Sequence, residues 1–343
     1  MPPAAIDAAG RRNPKMQPTA ACLKPDCWPT STDLLDLASL GPRLSIVTTL
    51  HLTIDNTKSR IRATLRLCSA CSSLHDLTVL LYGSYKYTAN DDSLDSEADY
   101  ALSKSTCTLL PSVLRLFVKS RFWTPIILFL LSNVPNLEDL TLHVHRDLGT
   151  VINSGTDFAW ATWKLRRLSF RRCDHSLIAH VLHSSRNSLR ELEFNPSLVP
   201  SELLQVLVVA AQNLRTIVAT SPHLQVFLPD LAPSLSASRR LTTLSISYQE
   251  LHNITGVLAA LIPSRMRHLV LDGSCAPEEA NTAAFVHFAE ELSSHASAIT
   301  SLRLQRLTFI VFIVAVPGSK AFRALEAACQ SRRIALTVEW NND

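Results

Sequence analysis

The residues with the most direct chemical potential in this sequence are cysteines at a short spacing. Cys68 and Cys71 form a CxxC pair within LRLCSACSSLHDL. A structural zinc site needs four ligands, which usually come from a second CxxC pair or from paired histidines. The sequence contains no second CxxC pair. We therefore interpret Cys68 and Cys71 as buried thiols rather than as half of a zinc site.

Two histidine pairs have spacings that could chelate a metal ion. His143 and His145 are two residues apart on a predicted strand, and His180 and His183 are three apart on a predicted helix, so each pair shares a face. Neither pair has a carboxylate at ligand spacing, and the metalloprotease motif HExxH is absent. The sequence therefore predicts neither a bound metal ion nor any other cofactor.

The motifs of nucleotide-binding enzymes and of hydrolases are absent as well. The sequence has no GxGxxG, no GxxxxGK[ST] and no GxSxG, and its 8 glycines are few for folds built on glycine-rich phosphate loops. A Ser-His-Asp triad assembles in space and leaves no fixed spacing, but nothing here marks a nucleophile. We predict that the protein is not an enzyme, and an enzyme of unrecognised type stays open as an alternative.

The most basic stretch, WKLRRLSFRRC, could be a patch that binds anions or nucleic acid. Its cations are Lys164, Arg166, Arg167, Arg171 and Arg172. However, the net charge of the chain is only +4, and the charges are spread along the sequence. Binding to a phosphate backbone usually requires a basic face. The sequence therefore predicts no nucleic-acid partner, and the role of these arginines depends on the elements that carry them.

Those elements are repeats. The pattern apolar-x-x-Leu-x-apolar recurs as VTTLHL, LHDLTV, LEDLTL, LRRLSF, LRELEF, LRTIVA, LTTLSI, MRHLVL and ITSLRL, which start at Val47, Leu74, Leu137, Leu165, Leu189, Leu214, Leu241, Met266 and Ile299. The starts from Leu137 to Met266 are separated by 28, 24, 25, 27 and 25 residues. Leucine-rich repeats have a period of about 20–29 residues. VLRLFV, from Val113, is a poorer candidate, and IALTVEW, from Ile334, is a predicted closing strand.

Helix-compatible segments lie between the predicted strands. SLIAHVLHSS, SELLQVLVVAAQ, HNITGVLAALIPS, APEEANTAAFVHFAEELSSH and SKAFRALEAACQSR have helical spacing or helix-start signals. The fold class predicted is therefore α/β, a leucine-rich-repeat solenoid of the ribonuclease-inhibitor-like type. One repeat cannot bury its apolar side alone, so successive repeats are expected to stack into a curved solenoid. The parallel sheet forms its concave face and the helices form its convex face.

Two breaks in the repeats and two cysteines near the repeat ends carry their own interpretations. The acidic stretch NDDSLDSEADYALSK lies in an insertion around residues 83–105, which we interpret as exposed, with a short helix after Ser96. The apolar run LTFIVFIVAVPG shows neither helical nor strand alternation, and a buried strand is one interpretation of it. Cys173 falls at the Asn/Cys position of its repeat and Cys275 one residue past it, so we interpret both as structural cysteines.

Strand alternation points the repeat leucines into the core and leaves pattern positions three, five and seven on the concave face. The candidate protein-binding residues are Asp139, Thr141, His143, Arg167, Ser169, Arg171, Glu191, Glu193, Asn195, Thr243, Ser245, His268 and Arg303. This register places Arg167 between Asp139 and Glu191, and Arg171 within diagonal reach of Glu193. Cross-strand pairs of opposite charge contribute only about 0.2–1 kcal/mol each. We therefore interpret the basic stretch as part of a charge ladder rather than as a dedicated anion site.

The phrases VPNLEDLTL, NSLRELEF, QNLRTI and PSRMRHLVLDG, and the ending FRALEAACQSRRIALTVEW, resemble those of F-box leucine-rich-repeat proteins of the divergent fungal type. The resemblance covers roughly residues 44–340. It implies a substrate-recognition arc in an adaptor of an SCF ubiquitin ligase, with a protein substrate on the concave face and Skp1 and a cullin as further partners. Cys68 and Cys71 would then lie at a helix end before a repeat leucine.

The F-box that this family carries at its N-terminus is three small helices opened by a Leu-Pro pair. Residues 1–43 contain neither that pair nor a following amphipathic helix, and TDLLDLASLGPRL is too short to be one. We therefore expect a largely disordered segment over 1–43, with no clear F-box, and a leucine-rich-repeat domain over 44–343. A free-standing interaction scaffold without a ubiquitin ligase is the alternative function.

Apolar runs and cysteines indicate the cellular compartment. The first 30 residues contain no apolar stretch of the kind found in signal peptides, and FWTPIILFLL and FIVFIVAV are shorter than the ~20 residues that span a bilayer. We expect no membrane partner. The eight cysteines are then expected to be reduced thiols in a cytoplasmic or nuclear protein.

Overall fold

The structure of the chain is a computed structural model in two compact units. It describes residues 20–23, 44–55, 58–82, 110–122, 125–146, 162–173, 175–195, 213–220, 240–248, 266–294, 304–312 and 319–341, with positions 38, 203, 206, 207 and 210. Unit 1 comprises Met1–Trp163 and Arg172–Asp174, and unit 2 comprises Lys164–Arg171 and His175–Asp343.

Unit 1 has an α/β fold with an all-parallel sheet. Its elements are β1 (Ala20–Leu23), β2 (Thr49–Asp55), α1 (Lys58–Ala70), β3 (Asp76–Tyr82), β4 (Arg115–Phe122), α2 (Pro125–Ser132) and β5 (Asp139–Arg146). The strands pair in chain order from β1 to β5. Such an order needs a connection that crosses over after every strand, and helices α1 and α2 supply two of these connections.

The sheet of unit 1 buries a ladder of aliphatic side chains. Leu50, Leu77, Leu116 and Leu140 are consecutive partners across β2 to β5, and each is at most 2% exposed. Helix α1 packs against both α2 and β2. Complete burial of a leucine side chain stabilises a fold by about 1.5–3 kcal/mol. The repeated leucine of the sequence pattern is therefore the residue that holds neighbouring strands to a common core.

Unit 2 is also α/β, with a second all-parallel run of strands. Its elements are β6 (Arg167–Arg171), α3 (His175–Ser185), β7 (Glu191–Phe194), β8 (Thr216–Ala219), β9 (Thr243–Ser247), β10 (His268–Gly273), α4 (Glu278–Ser293), β11 (Arg306–Phe312), α5 (Lys320–Arg332) and β12 (Ala335–Asn341). These strands too pair in chain order. Their ladder consists of the buried residues Leu168, Leu192, Ile217, Leu244, Leu269 and Leu307, and it ends at the half-buried Leu336.

The helices of unit 2 follow their sequence signals. Helix α3 buries the predicted apolar face, which consists of Leu177, Ile178, Val181 and Leu182. Helix α4 follows Pro277 and has two glutamates in its first turn, where negative charge is favourable. Helix α5 is capped by Ser319, whose hydroxyl accepts a hydrogen bond from the backbone N–H of Phe322 at 3.1 Å. Positions 203, 206, 207 and 210 are helical, within the helix predicted after Ser201.

The repeat pattern predicts the positions of most strands correctly. The strands expected from Val47, Leu74 and Leu137 are β2, β3 and β5, and those from Leu165 to Met266 are β6 to β10. The closing strand from Ile334 is β12. The poorer candidate from Val113 is a full strand, β4, whose Leu116 and Val118 are buried like those of its neighbours.

One predicted strand has the wrong register. The strand expected from Ile299 is instead β11, which starts at Arg306 and follows a second match to the pattern, LQRLTF from Leu304. Residues 301–303, with Arg303, lie outside the described residues. Thr308 is the partner of Val270 and so occupies the concave position that was assigned to Arg303. The apolar run is therefore a buried strand as far as Phe312, since Leu307, Phe309 and Val311 are fully buried.

Three further predictions concern segments of which little is described. Within residues 1–43, Ala20–Leu23 forms strand β1, which the sequence analysis did not predict because the segment lacks the repeat pattern. The acidic insertion around 83–105, with the helix expected after Ser96, lies outside the described residues. So does the helix expected in HNITGVLAALIPS.

Candidate functional site

The candidate site is the face of each sheet that lies opposite the buried ladder, and we call it the open face. Successive side chains on a strand point to opposite faces, so the residues that alternate with the ladder belong to it. Among the described side chains of unit 1 these are Thr49, His51, Thr53, Asp76, Thr78, Leu80, Arg115, Phe117, Lys119, Asp139, Thr141 and His143. In unit 2 they are Arg167, Ser169, Arg171, Glu191, Glu193, Thr216, Val218, Thr243, Ser245, Ser247, His268, Val270, Asp272, Arg306, Thr308, Ile310, Ala335, Thr337 and Glu339.

A charged row crosses the open face of unit 1. Arg115 donates two hydrogen bonds to the carboxylate of Asp76, one from Nε and one from Nη2 at 2.6 Å. The hydroxyl of Thr49 donates a third to the same carboxylate at 3.4 Å. The bonds and charge of Asp76, together with the charge of Asp139, raise the pKa of Arg115. The guanidinium is therefore held between two carboxylates, and its charge is neutralised within the sheet.

Further along β4, the open face of unit 1 carries an aromatic residue and a second cation. Phe117 is half-buried, and its ring meets the His143 ring edge-on with 5.6 Å between centroids. Its partners in register are the short residues Thr78 and Thr141. Lys119 follows two residues later and is exposed. An aromatic side chain and a cation thus lie next to each other on one strand.

The basic stretch lies partly in a charge ladder, as the sequence analysis predicted. In unit 2 Arg167 approaches Glu191 at 3.8 Å, and Arg171 approaches Glu193 at 3.4 Å. The side chains of the first pair are 53% and 51% exposed. Solvent screens such pairs, so each contributes about 0–1 kcal/mol. The two arginines are therefore paired locally while their side chains stay accessible.

The open face of unit 2 also carries a histidine in a hydrogen bond. Nε2 of His268 lies 3.0 Å from the hydroxyl of Thr308 on the next strand. Burial and the neighbouring charge of Arg306 lower the pKa of His268, while Glu339 acts in the opposite direction. The neutral imidazole is therefore the favoured form in the folded protein.

A buried hydrogen-bond group holds the end of β10 against helix α4. The hydroxyl of Tyr248 donates to Oδ1 of Asn281 at 2.6 Å, and Nδ2 of Asn281 donates to the carbonyl of Gly273 at 3.4 Å. A Cβ at position 273 would lie 2.6 Å from the Tyr248 hydroxyl, so only glycine fits there. Burial and the charge of Asp272 raise the pKa of Tyr248. This group fixes the strand that carries His268 and Asp272.

The cysteines are structural where the sequence analysis predicted buried thiols. Burial is the main cause that raises the pKa of both Cys68 and Cys71, and Sγ of Cys71 donates to the carbonyl of Leu67 at 3.3 Å. Cys173 is buried and donates to the carbonyl of Leu142 at 3.4 Å. Such thiols are poor nucleophiles and poor metal ligands, because both roles need the thiolate.

Cys275, which we interpreted as a structural cysteine, has an exposed side chain. Cys275 lies in the turn after β10, and in this turn the side chain of Asp272 contacts the backbone. Oδ1 of Asp272 accepts a hydrogen bond from the N–H of Ser274 at 3.0 Å, and its Oδ2 accepts one from the hydroxyl of Ser247 at 3.1 Å.

His143, His180 and His183 are the members of the two histidine pairs whose side chains are described. Within the described ranges, no group of three or more His, Cys, Asp or Glu side chains could hold a metal ion. The His143 ring packs on Phe117, and the side chain of His145 lies outside the described part of the chain. His183 is exposed on helix α3, and His180 is half-buried on the same helix.

The structure places most of the predicted binding residues on the open face. Strand β5 carries Asp139, Thr141 and His143, strand β6 carries Arg167 and Arg171, and strand β7 carries Glu191 and Glu193. Strand β9 carries Thr243 and Ser245, and strand β10 carries His268. Asn195 directly follows β7. Ser169 is an exception, because it is only 1% exposed and has no surface to offer to a partner. Its partner in register is Glu193, whose carboxylate reaches across to Arg171 beside this short side chain.

The open-face residues on β4 were not among the predicted binding residues. Arg115, Phe117 and Lys119 occupy positions three, five and seven counted from Val113, the start of VLRLFV. The signal was therefore present in a match to the pattern that was interpreted as a poorer candidate. Arg306 and Thr308 were missed because the register of β11 was assigned five residues too early.

Comparisons with known proteins add no family to these observations. No protein-family model matches the sequence. A search of curated proteins likewise finds no match. Among the described helices, none combines the length and the apolar character needed to cross a bilayer.

Proposed function

We propose that this chain is a leucine-rich-repeat protein that binds another protein through the open face of its sheet. The observation that carries the proposal is the difference between the two faces of the sheet in each unit. One face consists of buried, mostly aliphatic side chains. The other face presents charged, aromatic and short hydroxyl side chains, which neighbouring strands place side by side. Surfaces of this kind bind proteins through a few buried anchors within a polar rim.

Within that function, we propose the role of substrate-recognition part of an F-box-type SCF ubiquitin ligase adaptor. Its support is the resemblance of the repeat phrases to that family. The alternative is a free-standing interaction scaffold with no ubiquitin ligase link. Strand β1 pairs with β2, so the sheet of unit 1 extends beyond the repeats that carry the resemblance.

The first experiment tests protein binding by the open face. Tagged wild-type chain and single variants are used to capture proteins from a fungal lysate, and the captured proteins are quantified by mass spectrometry. Thr141→Arg and Ser245→Arg each place a long cation on the open face, in unit 1 and unit 2 respectively. The matched control is Ala283→Arg, at an exposed position of helix α4.

We expect a defined set of captured proteins to be lost with at least one open-face variant and kept with Ala283→Arg. The proposal fails if all three variants capture the same proteins in the same amounts as the wild type.

The same capture decides between adaptor and scaffold. If the chain is an adaptor, Skp1 and a cullin are expected in amounts comparable to the chain itself. Their absence, with other proteins still retained through the open face, would support the scaffold.

A further inference from the structure

Among the described side chains on the open face of unit 1, two cations on β4 lie in opposite surroundings. Arg115 and Lys119 lie four residues apart on β4 and point to the same side. Arg115 is bound by Asp76, with Asp139 at its other side in register. Lys119 has Leu80 and His143 as its partners in register, and among the described residues it makes no hydrogen bond or ion pair. Only the first cation is neutralised within the sheet.

The surroundings of Lys119 are apolar on two sides. Leu80 is half-buried on β3, and Phe117 precedes Lys119 by two residues on the same face. The Phe117 ring stands between Thr78 and Thr141, both much shorter than the ring. Aromatic residues in such positions are frequent anchors of protein interfaces. Lys119 itself is exposed, so its ammonium group is accessible to a negatively charged partner.

Together these features point to a partner that brings both apolar surface and negative charge. We infer that the open face of unit 1 binds a protein segment whose apolar side chain packs on Phe117 and Leu80 and whose carboxylate pairs with Lys119. The inference rests on the proposed function and names the chemistry of its partner. Among the described side chains of this face, Lys119 is the cation with no ion pair, and one carboxylate would neutralise it.

The geometry of the face favours a carboxylate over a phosphate. Phosphates are bound most specifically by the fork of an arginine guanidinium, and the Nε–Nη2 edge of Arg115 is already bound to the carboxylate of Asp76. The carboxylates of Asp76 and Asp139 lie at the start of the strands and repel a polyanion that extends along them. A nucleic acid or an anionic membrane therefore fits the face poorly.

The spacing of the two contacts limits the sequence of the segment. Phe117 and Lys119 are separated by two strand positions, which is about 7 Å. In an extended segment, side chains two residues apart lie on one side at the same separation. The expected recognition element is therefore an apolar residue and an Asp or Glu with one residue between them.

The test is selection of peptides from a random linear library on the immobilised full-length chain. We expect peptides with the apolar-x-acidic pattern, in either direction, to be enriched. A synthetic peptide of that sequence is expected to bind Lys119→Glu about tenfold more weakly than the wild type, because attraction becomes repulsion. Phe117→Thr should weaken binding as well, and it keeps a residue that suits a strand.

The matched control for the charge change is Arg66→Glu, at an exposed position of helix α1 away from the open face. It is expected to leave the affinity for the peptide unchanged. Thermal unfolding of each variant excludes misfolding as the cause of any loss. A library selected on Lys119→Glu should lose the preference for acidic residues and gain one for Lys or Arg.

Three results would overturn the inference. Enriched peptides that bind Lys119→Glu and Phe117→Thr as well as the wild type would place binding elsewhere while leaving the proposed function intact. Tighter binding of a phosphoserine peptide than of its glutamate counterpart would assign the cation to phosphate. No enrichment on the wild-type chain would exclude a linear apolar-acidic segment, and the capture with Thr141→Arg and Ser245→Arg would still decide the proposed function on its own.

Discussion

At the scale of single residues, the open face is shaped by which polar groups find partners within the sheet. Arg115, Arg167 and Arg171 are paired with carboxylates on neighbouring strands, whereas Lys119 has no such pair within the described part of the chain. The ladder pairs of unit 2 could be predicted from the sequence, since register follows from the repeat. The bond between Tyr248 and Asn281 could not, because the two residues are 33 positions apart and belong to no common pattern.

His268 gives a prediction at this scale. Burial and Arg306 lower its pKa from the ordinary value of 6.5, so the folded state binds the proton less readily than the unfolded state. The unfolded chain then holds more protons as the pH falls through that value. The stability that His268 contributes is therefore complete above about pH 6.5 and is lost as the pH falls through the lower, folded pKa.

We expect His268→Gln to reduce the loss of stability between about pH 7.5 and about pH 5, because glutamine can bond Thr308 without titrating. The measurement is urea unfolding of wild type and variant across that range. Arg306→Gln is the companion variant, since removal of the neighbouring charge should raise the pKa of His268 and shrink the effect. Identical pH profiles for wild type and His268→Gln would refute this account.

At the scale of elements, the sequence pattern predicts strands well and their register less well. The pattern from Ile299 and the overlapping pattern from Leu304 both fit the same template. Only pairing with β10 selects the second, because it places Leu307 and Phe309 on the buried ladder. Helix starts were marked by residues such as Pro277. The end of helix α5 was not, since Arg333 adopts a left-handed conformation, with φ of 59°, that favours glycine.

The end of helix α5 gives the prediction at this scale. Arg333→Gly is expected to increase the free energy of unfolding by about 1 kcal/mol, because glycine has no Cβ to strain the left-handed conformation. The same substitution one residue earlier, Arg332→Gly, should have the opposite sign. It places glycine in the last helical turn, at a cost of about 1 kcal/mol, and removes the 2.9 Å bond from Nε of Arg332 to the carbonyl of Leu292.

Chemical unfolding of the two variants checks the pair of signs. A loss of stability in both would mean that the arginine at position 333 makes contacts worth more than its backbone strain.

At the scale of the whole molecule, each sheet is a row of similar strands that contact chiefly the strands on either side. Such arrays derive their stability from neighbour contacts along the row, and their terminal units are atypical. The repeat pattern alone predicts equal roles for equivalent leucines. Burial shows that they are unequal, since Leu244 is 2% exposed while Leu336, at the same rung on β12, is only half-buried. Strand β12 ends the order of strands and has β11 as its neighbour.

This difference predicts a gradient of stability along unit 2. Leu244→Ala is expected to lower the free energy of unfolding by about 2–5 kcal/mol, because the cavity it leaves is enclosed by β8, β10 and the core. Leu336→Ala makes the same chemical change at a half-buried position, so less apolar surface returns to water and the cost should be about 1 kcal/mol. Urea unfolding monitored by circular dichroism measures both. Equal losses would mean that β12 is covered as completely in solution as the central strands, and the partner that covers it would then have to be sought at this edge of the sheet.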